Sequence, residues 1–153
     1  MVYAAVIMSI ISLDLFTKRL ISDKLKEEEK REIIKNKLYL WRKKNFGFSY
    51  GKLKSKPEYV KAVSGTVCFV SLASLFALLR ERAGQAEKIS FCVVLAGALA
   101  NFVDRIKNGF VTDFIFIKLK HIKNAPVFNM ADMFIVFGCV AFWAGSMFSK
   151  KIK

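Results

Sequence analysis

The sequence has little of what metal-dependent and serine-dependent hydrolases need. Its single histidine, His121, stands among lysines and has no second ligand at a metal-binding spacing. A Ser–His catalytic pair is disfavoured for the same reason. The three cysteines are isolated within apolar runs, so we interpret Cys68, Cys92 and Cys139 as small buried apolar residues. We therefore expect no metal, no cofactor and no disulfide framework.

Acidic residues are scarce as well, since 12 of them stand against 26 lysines and arginines, which gives a formal charge of +14. Such a basic balance is typical of nucleic-acid-binding proteins. Here, however, the basic residues lie between apolar runs, and no nucleic-acid-binding motif is present. An anionic membrane surface is therefore the expected partner, and nucleic acid is not.

Apolar residues, by contrast, make up 54% of the chain, and the longest apolar runs cover residues 1–13, 60–79, 89–103 and 127–148. A helix needs about 20 mostly apolar residues to cross a bilayer. The first and third runs reach that length only by including charged residues near one end. The pattern predicts an α-helical integral membrane protein, a single domain over residues 1–153, with four transmembrane helices at about residues 1–21, 60–79, 87–106 and 127–148.

Two connecting segments, residues 22–58 and 107–126, are predicted to lie on the same side of the membrane. Residues 22–37 are almost wholly charged and indicate either a short interfacial helix or a solvated linker. In residues 38–51, aromatic side chains recur at mostly even spacing, which predicts a strand with a turn at Asn45 and Gly47. Residues 110–117 indicate a second strand interrupted by Asp113. We therefore expect a small β-cradle at the membrane surface.

Polar side chains gather at the ends of three predicted helices. They are Asp14 and Lys18 in the first helix, Asn101, Asp104 and Arg105 in the third, and Asn129 and Asp132 in the fourth. Because successive spans alternate in direction, these ends lie on one side of the membrane, as does Asp113. An ionisable group costs roughly 2.5–3.5 kcal/mol at the centre of a membrane helix, so groups found there usually serve chemistry or transport. We predict that Asp113 and Asp132 form a catalytic carboxylate pair.

Other interpretations of these polar groups stay open at this level. Asp14 and Lys18 are four residues apart on one helix face and could form only a local ion pair near the membrane surface. The aspartates and Arg105 could line an ion or proton path in a small transporter or channel subunit, which would form oligomers. The polar cluster could also be purely structural, in a membrane protein that binds partners.

Five short motifs stand in order along nearly the whole chain. They are Asp14-x-x-Thr17-Lys18, Asn45-x-Gly47-x-Ser49-Tyr50-Gly51, Gly97-x-x-x-Asn101-x-x-Asp104-Arg105, Gly109-x-Val111-x-Asp113-Phe114 and Phe128-Asn129-x-Ala131-Asp132. Any one of them is weak, but the five in this order form a specific pattern. In these motifs the chain resembles lipoprotein signal peptidase, the bacterial type II signal peptidase.

The resemblance implies an aspartic endopeptidase of the bacterial inner membrane that cuts prolipoproteins just before a diacylglyceryl-modified cysteine. The catalytic residues would be Asp113 and Asp132. The residues that orient the substrate or the pair would be Asn45, Asn101, Arg105 and Asn129, and the supporting polar residues Asp14, Lys18, Asp104 and Gly51. The expected partners are the lipid-modified prolipoprotein and membrane lipids, with no cofactor, and the expected state is a monomer.

The charge distribution conflicts with the topology that the resemblance implies. Residues 22–58 hold twelve lysines and arginines, whereas residues 80–88 hold three. The positive-inside rule therefore places the first connecting segment in the cytoplasm. The resemblance places that segment, and the active site, on the extracytoplasmic side. We adopt the second assignment, because five ordered motifs outweigh a charge bias that has exceptions.

Overall fold

The computed structural model describes residues 1–47, 53–81, 83–119, 122 and 125–149. This part of the chain forms a bundle of four long helices, α1 (Val2–Lys24), α2 (Pro57–Arg80), α3 (Gln85–Asn108) and α4 (Met130–Ser149). It also forms an antiparallel sheet in the order β1 (Lys30–Ile34), β2 (Leu38–Asn45), β3 (Val111–Ile117) and β4 (Val127–Phe128). α3 is the central helix and packs against the other three.

Three helices within the described residues are long and apolar enough to cross a membrane, namely α2, α3 and Met130–Met147 of α4. α2 and α4 present large apolar side chains outward, such as Phe69, which is 72% exposed, and Trp143, which is 66% exposed. An extended apolar surface of this kind suits contact with lipid. α1 has 23 residues but includes charged side chains along its second half. The small sheet is thus confirmed, and three of the four predicted spans coincide with helices that are long and apolar enough to cross a membrane. The span of α1 stays a prediction.

α3 and α4 approach each other closely because glycines lie at their contact. A Cβ atom at Gly97 would lie 2.6 Å from the carbonyl oxygen of Ala131 and 2.7 Å from Cγ1 of Ile135. A Cβ atom at Gly138 would lie 2.9 Å from the carbonyl oxygen of Ser90. Side chains at these positions would force the helices apart. The close contact brings the polar end of α3 next to the first turn of α4.

The sheet packs against the end of the bundle at which α1 and α3 terminate. Buried Ile21 and Leu25, at the end of α1, form an apolar cluster with Phe114 of β3. Leu40 of β2 and Ile115 of β3 pack against that cluster. Burial of these side chains from water holds the sheet to the helices, so β3 and β4 lie beside the polar ends of α3 and α4.

Arg42 of β2 forms a polar attachment between the sheet and α1. Its Nη1 donates to the carbonyl oxygens of Ser22 at 3.1 Å and Leu25 at 2.8 Å. The last carbonyls of a helix have no partner within the helix, and its C-terminus favours a positive charge. Arg42 therefore satisfies the end of α1 and fixes β2 against it.

The interfacial helix predicted in residues 22–37 is wrong. α1 continues to Lys24, and Lys30–Ile34 forms β1, which pairs with β2 so that Lys30 lies opposite Trp41. The chain reverses at Asn36, which has a φ of 55° and donates its backbone N–H to Oε1 of Glu32 at 2.6 Å. A run of charged residues has no apolar periodicity, and pairing with β2 decides its structure instead.

Two further predictions need correction. The fourth helix begins at Met130 rather than at residue 127, because Val127–Phe128 forms β4 and pairs with β3. Cys68 and Cys92 are buried as predicted, whereas Cys139 is exposed on α4. The strands predicted from residues 38 and 110 onward are confirmed by β2 and β3.

Candidate active site

Asp113 and Asp132 line the same cavity, of about 980 Å³, at the end of the bundle that carries the sheet. Asp113 lies in β3 and is 4% exposed, whereas an aspartate in a strand normally faces solvent. Asp132 lies in the first turn of α4 and is half-buried. The ends of α3 and α4 and the strand β3 thus meet at one place, as the alternation of span directions predicts.

Asn129 joins the two carboxylates. Its Nδ2 donates to Oδ1 of Asp113 at 2.7 Å, and its backbone N–H donates to Oδ2 of Asp132 at 3.1 Å. The backbone N–H of Asp132 in turn donates to Oδ1 of Asn129 at 2.9 Å. These reciprocal bonds cap the N-terminus of α4. The residue that precedes the helix therefore also fixes the position of one carboxylate relative to the other.

Two more amides donate to the pair. Nδ2 of Asn45 donates to Oδ2 of Asp113, and Nδ2 of Asn101 donates to Oδ1 of Asp132, both at 2.9 Å. Each of the four carboxylate oxygens thus accepts one N–H bond. A carboxylate oxygen has two lone pairs. With respect to the described residues, each oxygen therefore keeps one acceptor position for a water molecule or a proton.

The hydrogen bonds that the amide oxygens accept determine the orientation of these side chains. Oδ1 of Asn45 accepts the backbone N–H of Gly47 at 3.0 Å, and Oδ1 of Asn101 accepts the ammonium of Lys18 at 2.9 Å. The oxygen of Asn129 likewise accepts a backbone N–H. Backbone N–H and ammonium groups donate and cannot accept. The three amide nitrogens must therefore face the aspartates, so all three side chains act as donors to the pair.

Lys18 holds one of these amides from inside the bundle. Its buried Nζ lies 2.7 Å from Oδ2 of Asp14 and 3.3 Å from Oδ2 of Asp104, in addition to its bond to Asn101. Oδ1 of Asp14 accepts the backbone N–H of Ala131, in the first turn of α4, at 2.8 Å. The cluster thus couples α1, α3 and α4. The interpretation of Asp14 and Lys18 as only a local ion pair near the membrane surface is therefore wrong.

Asp104 and Arg105, at the end of α3, hold the backbone on two sides of the cavity. Oδ2 of Asp104 accepts the backbone N–H of Thr112 at 3.1 Å, which fixes the start of β3. Nη2 of Arg105 donates to the carbonyl oxygen of Gly47 at 3.0 Å, in the turn after β2. Arg105 also lines the cavity. These neighbouring residues thus position the two strands that carry Asp113 and Asn45.

Burial raises the pKa of Asp113 from its usual value near 4 to about 7, and repulsion from Asp132 acts in the same direction. Hydrogen bonds from Asn45 and Asn129 act against this shift, because they stabilise the ionised carboxylate. A carboxyl group with a pKa near 7 exchanges its proton at neutral pH. Asp113 is therefore suited to acid–base chemistry under physiological conditions.

The sequence matches the signal peptidase (SPase) II family over residues 6–148. The chain belongs to the signal peptidase II family. A lipoprotein signal peptidase of Brevibacillus brevis is 35% identical to it over 129 residues, which cover 84% of this chain and 83% of that protein. One from Moorella thermoacetica is 30% identical over 131 residues, which cover 86% of this chain and 83% of that protein.

Two solved structures of a bacterial membrane enzyme, determined by the in meso method, share the fold of this signal peptidase II. The first, at 2.3 Å resolution, has a TM-score of 0.83 and 23% sequence identity. The match covers 99% of this chain and 91% of the solved chain. The second, at 1.9 Å resolution, has a TM-score of 0.78 and 24% sequence identity, and the match covers 94% of this chain and 90% of the solved chain. The family match and the relatives confirm three predictions: the family, the assignment as an aspartic peptidase, and the assignment as a bacterial multi-pass membrane protein.

The structure of this signal peptidase II also places residues at the cavity that the sequence analysis did not single out. Trp41, Lys43 and Phe116 line it from the sheet, and Lys43 lies opposite Asp113 in the register of β2 and β3. The even spacing of Trp41, Lys43 and Asn45 would not have predicted this arrangement, because the register of β2 shifts between Leu40 and Lys43 and interrupts the alternation of side chains. Four residues named from the sequence, Ser49, Tyr50, Gly51 and His121, lie outside the described residues.

Replacing Lys18 with methionine should destabilise this signal peptidase II, because Asp14 and Asp104 would stay buried without a counter-charge. Removing one partner of a buried ion pair costs about 3–5 kcal/mol, so Lys18→Met should lower the midpoint of thermal denaturation in detergent by roughly 10 °C. Lys61→Met is the matched control, since its partner Glu58 is 84% exposed and exposed pairs contribute little. Equal midpoints for the two variants would contradict the stabilising role of the cluster.

Proposed function

We propose that this signal peptidase II removes the signal peptide from prolipoproteins by cutting just before a diacylglyceryl-modified cysteine, with Asp113 and Asp132 as the catalytic pair. The observation that carries the proposal is the bridge through Asn129, which holds both carboxylates in one cavity. Peptide-bond hydrolysis by two carboxylates requires such a fixed arrangement. The two relatives named lipoprotein signal peptidase support the substrate class.

The mechanism follows from a proton shared between the two acids. Carboxylates in one confined site cannot both ionise cheaply, so the pair carries one proton. The ionised member removes a proton from water as the water oxygen bonds to the scissile carbonyl carbon, and the protonated member donates its proton to the carbonyl oxygen. When the intermediate collapses, the C–N bond breaks and a proton reaches the leaving nitrogen. The titration belongs to the pair, so neither Asp113 nor Asp132 has a permanent role.

The surrounding side chains divide into two groups in this proposal. Asn45, Asn101 and Asn129 orient the two acids through the bonds described above, and Arg105 fixes the turn that carries Asn45. The supporting residues Asp14, Lys18 and Asp104 act one step further away, by holding Asn101 and the start of β3. The role inferred for Gly51 stays a prediction.

The cavity supports a path for the substrate from the bilayer to the acids. Val67 of α2 and Val136 of α4 line it, and they are 50% and 59% exposed on the apolar surfaces of their helices. We propose that the apolar signal segment and the diacylglyceryl chains enter between α2 and α4. The polypeptide after the cysteine then passes along the sheet, where Trp41 and Phe116 line the cavity.

We also propose that α1 completes a set of four transmembrane helices in the inner membrane. Its buried Asp14 and Lys18 face neighbouring helices, while Met8 and Phe16 are 62% and 61% exposed on its outer side, which suits lipid contact. The sheet and the active site then face the extracytoplasmic side. The enzyme acts as a monomer of one domain, which is supported by a site built from the elements of a single chain.

Asp113→Asn and Asp132→Asn should each lower kcat at least about a thousandfold, because an amide can neither take up nor release the required proton. The measurement is cleavage of a lipidated prolipoprotein by the purified variants in detergent. Asp23→Asn, at an exposed position near the end of α1, is the matched control and should cleave at the unsubstituted rate. Normal turnover by either variant of the pair would rule out this catalytic assignment.

The alkaline limb of the pH profile of kcat/KM should lie near pH 7, because the pair loses its shared proton as the pH rises through the pKa of Asp113. Asn45→Ala removes a hydrogen bond that favours the carboxylate. The pKa of Asp113 should then rise, and the limb should move to higher pH by up to about one unit. Asn108→Ala, which removes an amide from Asp104 instead, should leave the limb in place. Movement to lower pH would contradict the assignment.

Reporter fusions test the proposed topology. A reporter that is active only in the cytoplasm should be active when it is fused after residue 153. The same reporter should be inactive when it is inserted between residues 35 and 36, because the two sites lie on opposite sides of a four-span protein. A reporter that is active only outside the cytoplasm should give the reverse pattern. Cytoplasmic activity of the reporter inserted in the hairpin would overturn the extracytoplasmic assignment.

A further inference from the structure

Lys18 is connected through amide side chains to both carboxylates that line the cavity. Its Nζ donates to Oδ1 of Asn101 at 2.9 Å, and Nδ2 of Asn101 donates to Oδ1 of Asp132 at 2.9 Å. Oδ1 of Asn101 also accepts Nδ2 of Asn129 at 3.1 Å, and the same nitrogen donates to Oδ1 of Asp113 at 2.7 Å. A donor at the oxygen of an amide strengthens the donation by its nitrogen. Lys18 therefore strengthens the hydrogen bond that Asp132 accepts.

The charge of Lys18 acts on the pair through the interior of the protein. Lys18 is 4% exposed, and the two amides that connect it to the acids, Asn101 and Asn129, are 8% and 1% exposed. Charges separated by buried groups are screened much less than charges at a surface. Burial and repulsion from Asp132 raise the pKa of Asp113, whereas the positive charge of Lys18 lowers it. Lys18 therefore favours the ionised form of a carboxyl group that burial tends to neutralise.

Other charged groups surround the pair on the elements that pack around it. They are Asp14 of α1, Asp104 and Arg105 of α3, Lys43 and Lys44 of β2, and Lys54 in the segment before α2. The basic groups among these six line the cavity, where water and substrate reach them. Lys18 is not among the described residues that line the cavity. A bound substrate therefore leaves the contact between its ammonium and Asn101 in place.

Two carboxylates share the ammonium of Lys18 with Asn101. Oδ2 of Asp14 lies 2.7 Å from Nζ, and Oδ2 of Asp104 lies 3.3 Å from it. Both offset the cost of burying the positive charge, and both partly cancel its effect on the pair. Of these three charged groups, the ammonium is the one that bonds to the amide of Asn101. The charge of Lys18 and the charges of its two partners therefore have opposite effects on the pair, which makes them separable by substitution.

We propose that Lys18 is an electrostatic positioning residue of the proposed reaction, which keeps one acid of the pair ionised by holding a buried positive charge against Asn101. The pair can activate water only when one of its members is ionised. Burial opposes that ionisation, and a fixed charge that the substrate does not displace restores it. This inference rests on the catalytic pair given under the proposed function. It adds a role for the charge of Lys18 to the holding of Asn101.

Removing the ammonium should move the pH profile of kcat/KM. Lys18→Met alone would leave two buried acids without a counter-charge, and proton uptake by one of them would hide the loss. The substitution is therefore made in the full-length Asp104→Asn background, where the amide oxygen can still accept the backbone N–H of Thr112. There Lys18→Met should move the alkaline limb upward by about one pH unit, since the pair then holds its shared proton more tightly. An unmoved limb would overturn the proposal.

Two comparisons separate the charge from a structural role. Lys18→Arg in the same background keeps the positive charge and should leave the limb where the background has it. Lys61→Met breaks an ion pair whose partner Glu58 is 84% exposed, and it should leave the limb of the unsubstituted enzyme in place. Incomplete folding of a variant lowers the plateau of the profile without moving its limb. A limb that moves equally with arginine and with methionine would assign the effect to the shape of the side chain and overturn the proposal.

Asp104→Asn alone should give a shift of the opposite sign, and this test does not require the Lys18→Met variant to fold. The substitution removes a carboxylate from the ammonium, which stays paired with Asp14. The cluster becomes more positive, so the limb should move to lower pH relative to the unsubstituted enzyme. Movement to higher pH, or no movement, would contradict the proposal.

A measurement that needs no turnover separates this inference from the catalytic assignment. Infrared spectra of the purified variants record the carbonyl stretch of protonated Asp113, which Asp113→Asn identifies by its loss. The pH at which half of this band has disappeared should lie about one unit higher after Lys18→Met in the Asp104→Asn background. If this midpoint moves while Asp113→Asn still cleaves the substrate, the electrostatic coupling stands and only the catalytic pair fails. An unmoved midpoint would overturn the inference even if both aspartates are required for cleavage.

Discussion

The buried ammonium of Lys18 is the interaction on which the rest of the site depends. A positive charge inside an apolar bundle is tolerable only when its partners are complete, and here they are two carboxylates and an amide oxygen. These partners come from α1 and α3, and Asp14 extends the cluster to the backbone of Ala131 in α4. Sliding α1 along α3 would separate Lys18 from Asp104 and Asn101, and sliding α4 would take the backbone N–H of Ala131 from its acceptor. The cluster therefore fixes the relative positions of the helices that carry Asn101 and Asp132.

Helix capping and the proposed chemistry use the same atoms at the start of α4. The N-terminus of a helix needs acceptors for its first N–H groups and favours negative charge. Asn129, Asp132 and Asp14 supply those acceptors. Asp113 has no such support, since it lies in a strand and its pKa is raised by burial. The two acids thus occupy unlike environments, one at the N-terminus of a helix and the other in a strand.

The sequence predicted the meeting of the polar ends because that meeting follows from helix length and alternating direction alone. Once the spans were placed, Asp14, Asn101 and Asp132 had to lie at the same end of the bundle. The bridge through Asn129 could not be derived in this way, since it depends on β4, two residues long, which delays the start of α4. β1 was missed for a related reason: its pairing with β2 is a non-local contact that charged residues such as Glu32 do not reveal.

The small residues between α3 and α4 have a consequence beyond packing. Gly97 lets the two helices approach until a Cβ atom would lie 2.6 Å from the carbonyl oxygen of Ala131, and the backbone N–H of the same Ala131 is held by Asp14. Asn101 stands one helical turn beyond Gly97 on the same side of α3, and there it reaches Asp132 at 2.9 Å. A larger residue in place of the glycine would push the helices apart and lengthen that bond. Apolar close packing therefore sets the distance that the polar site requires.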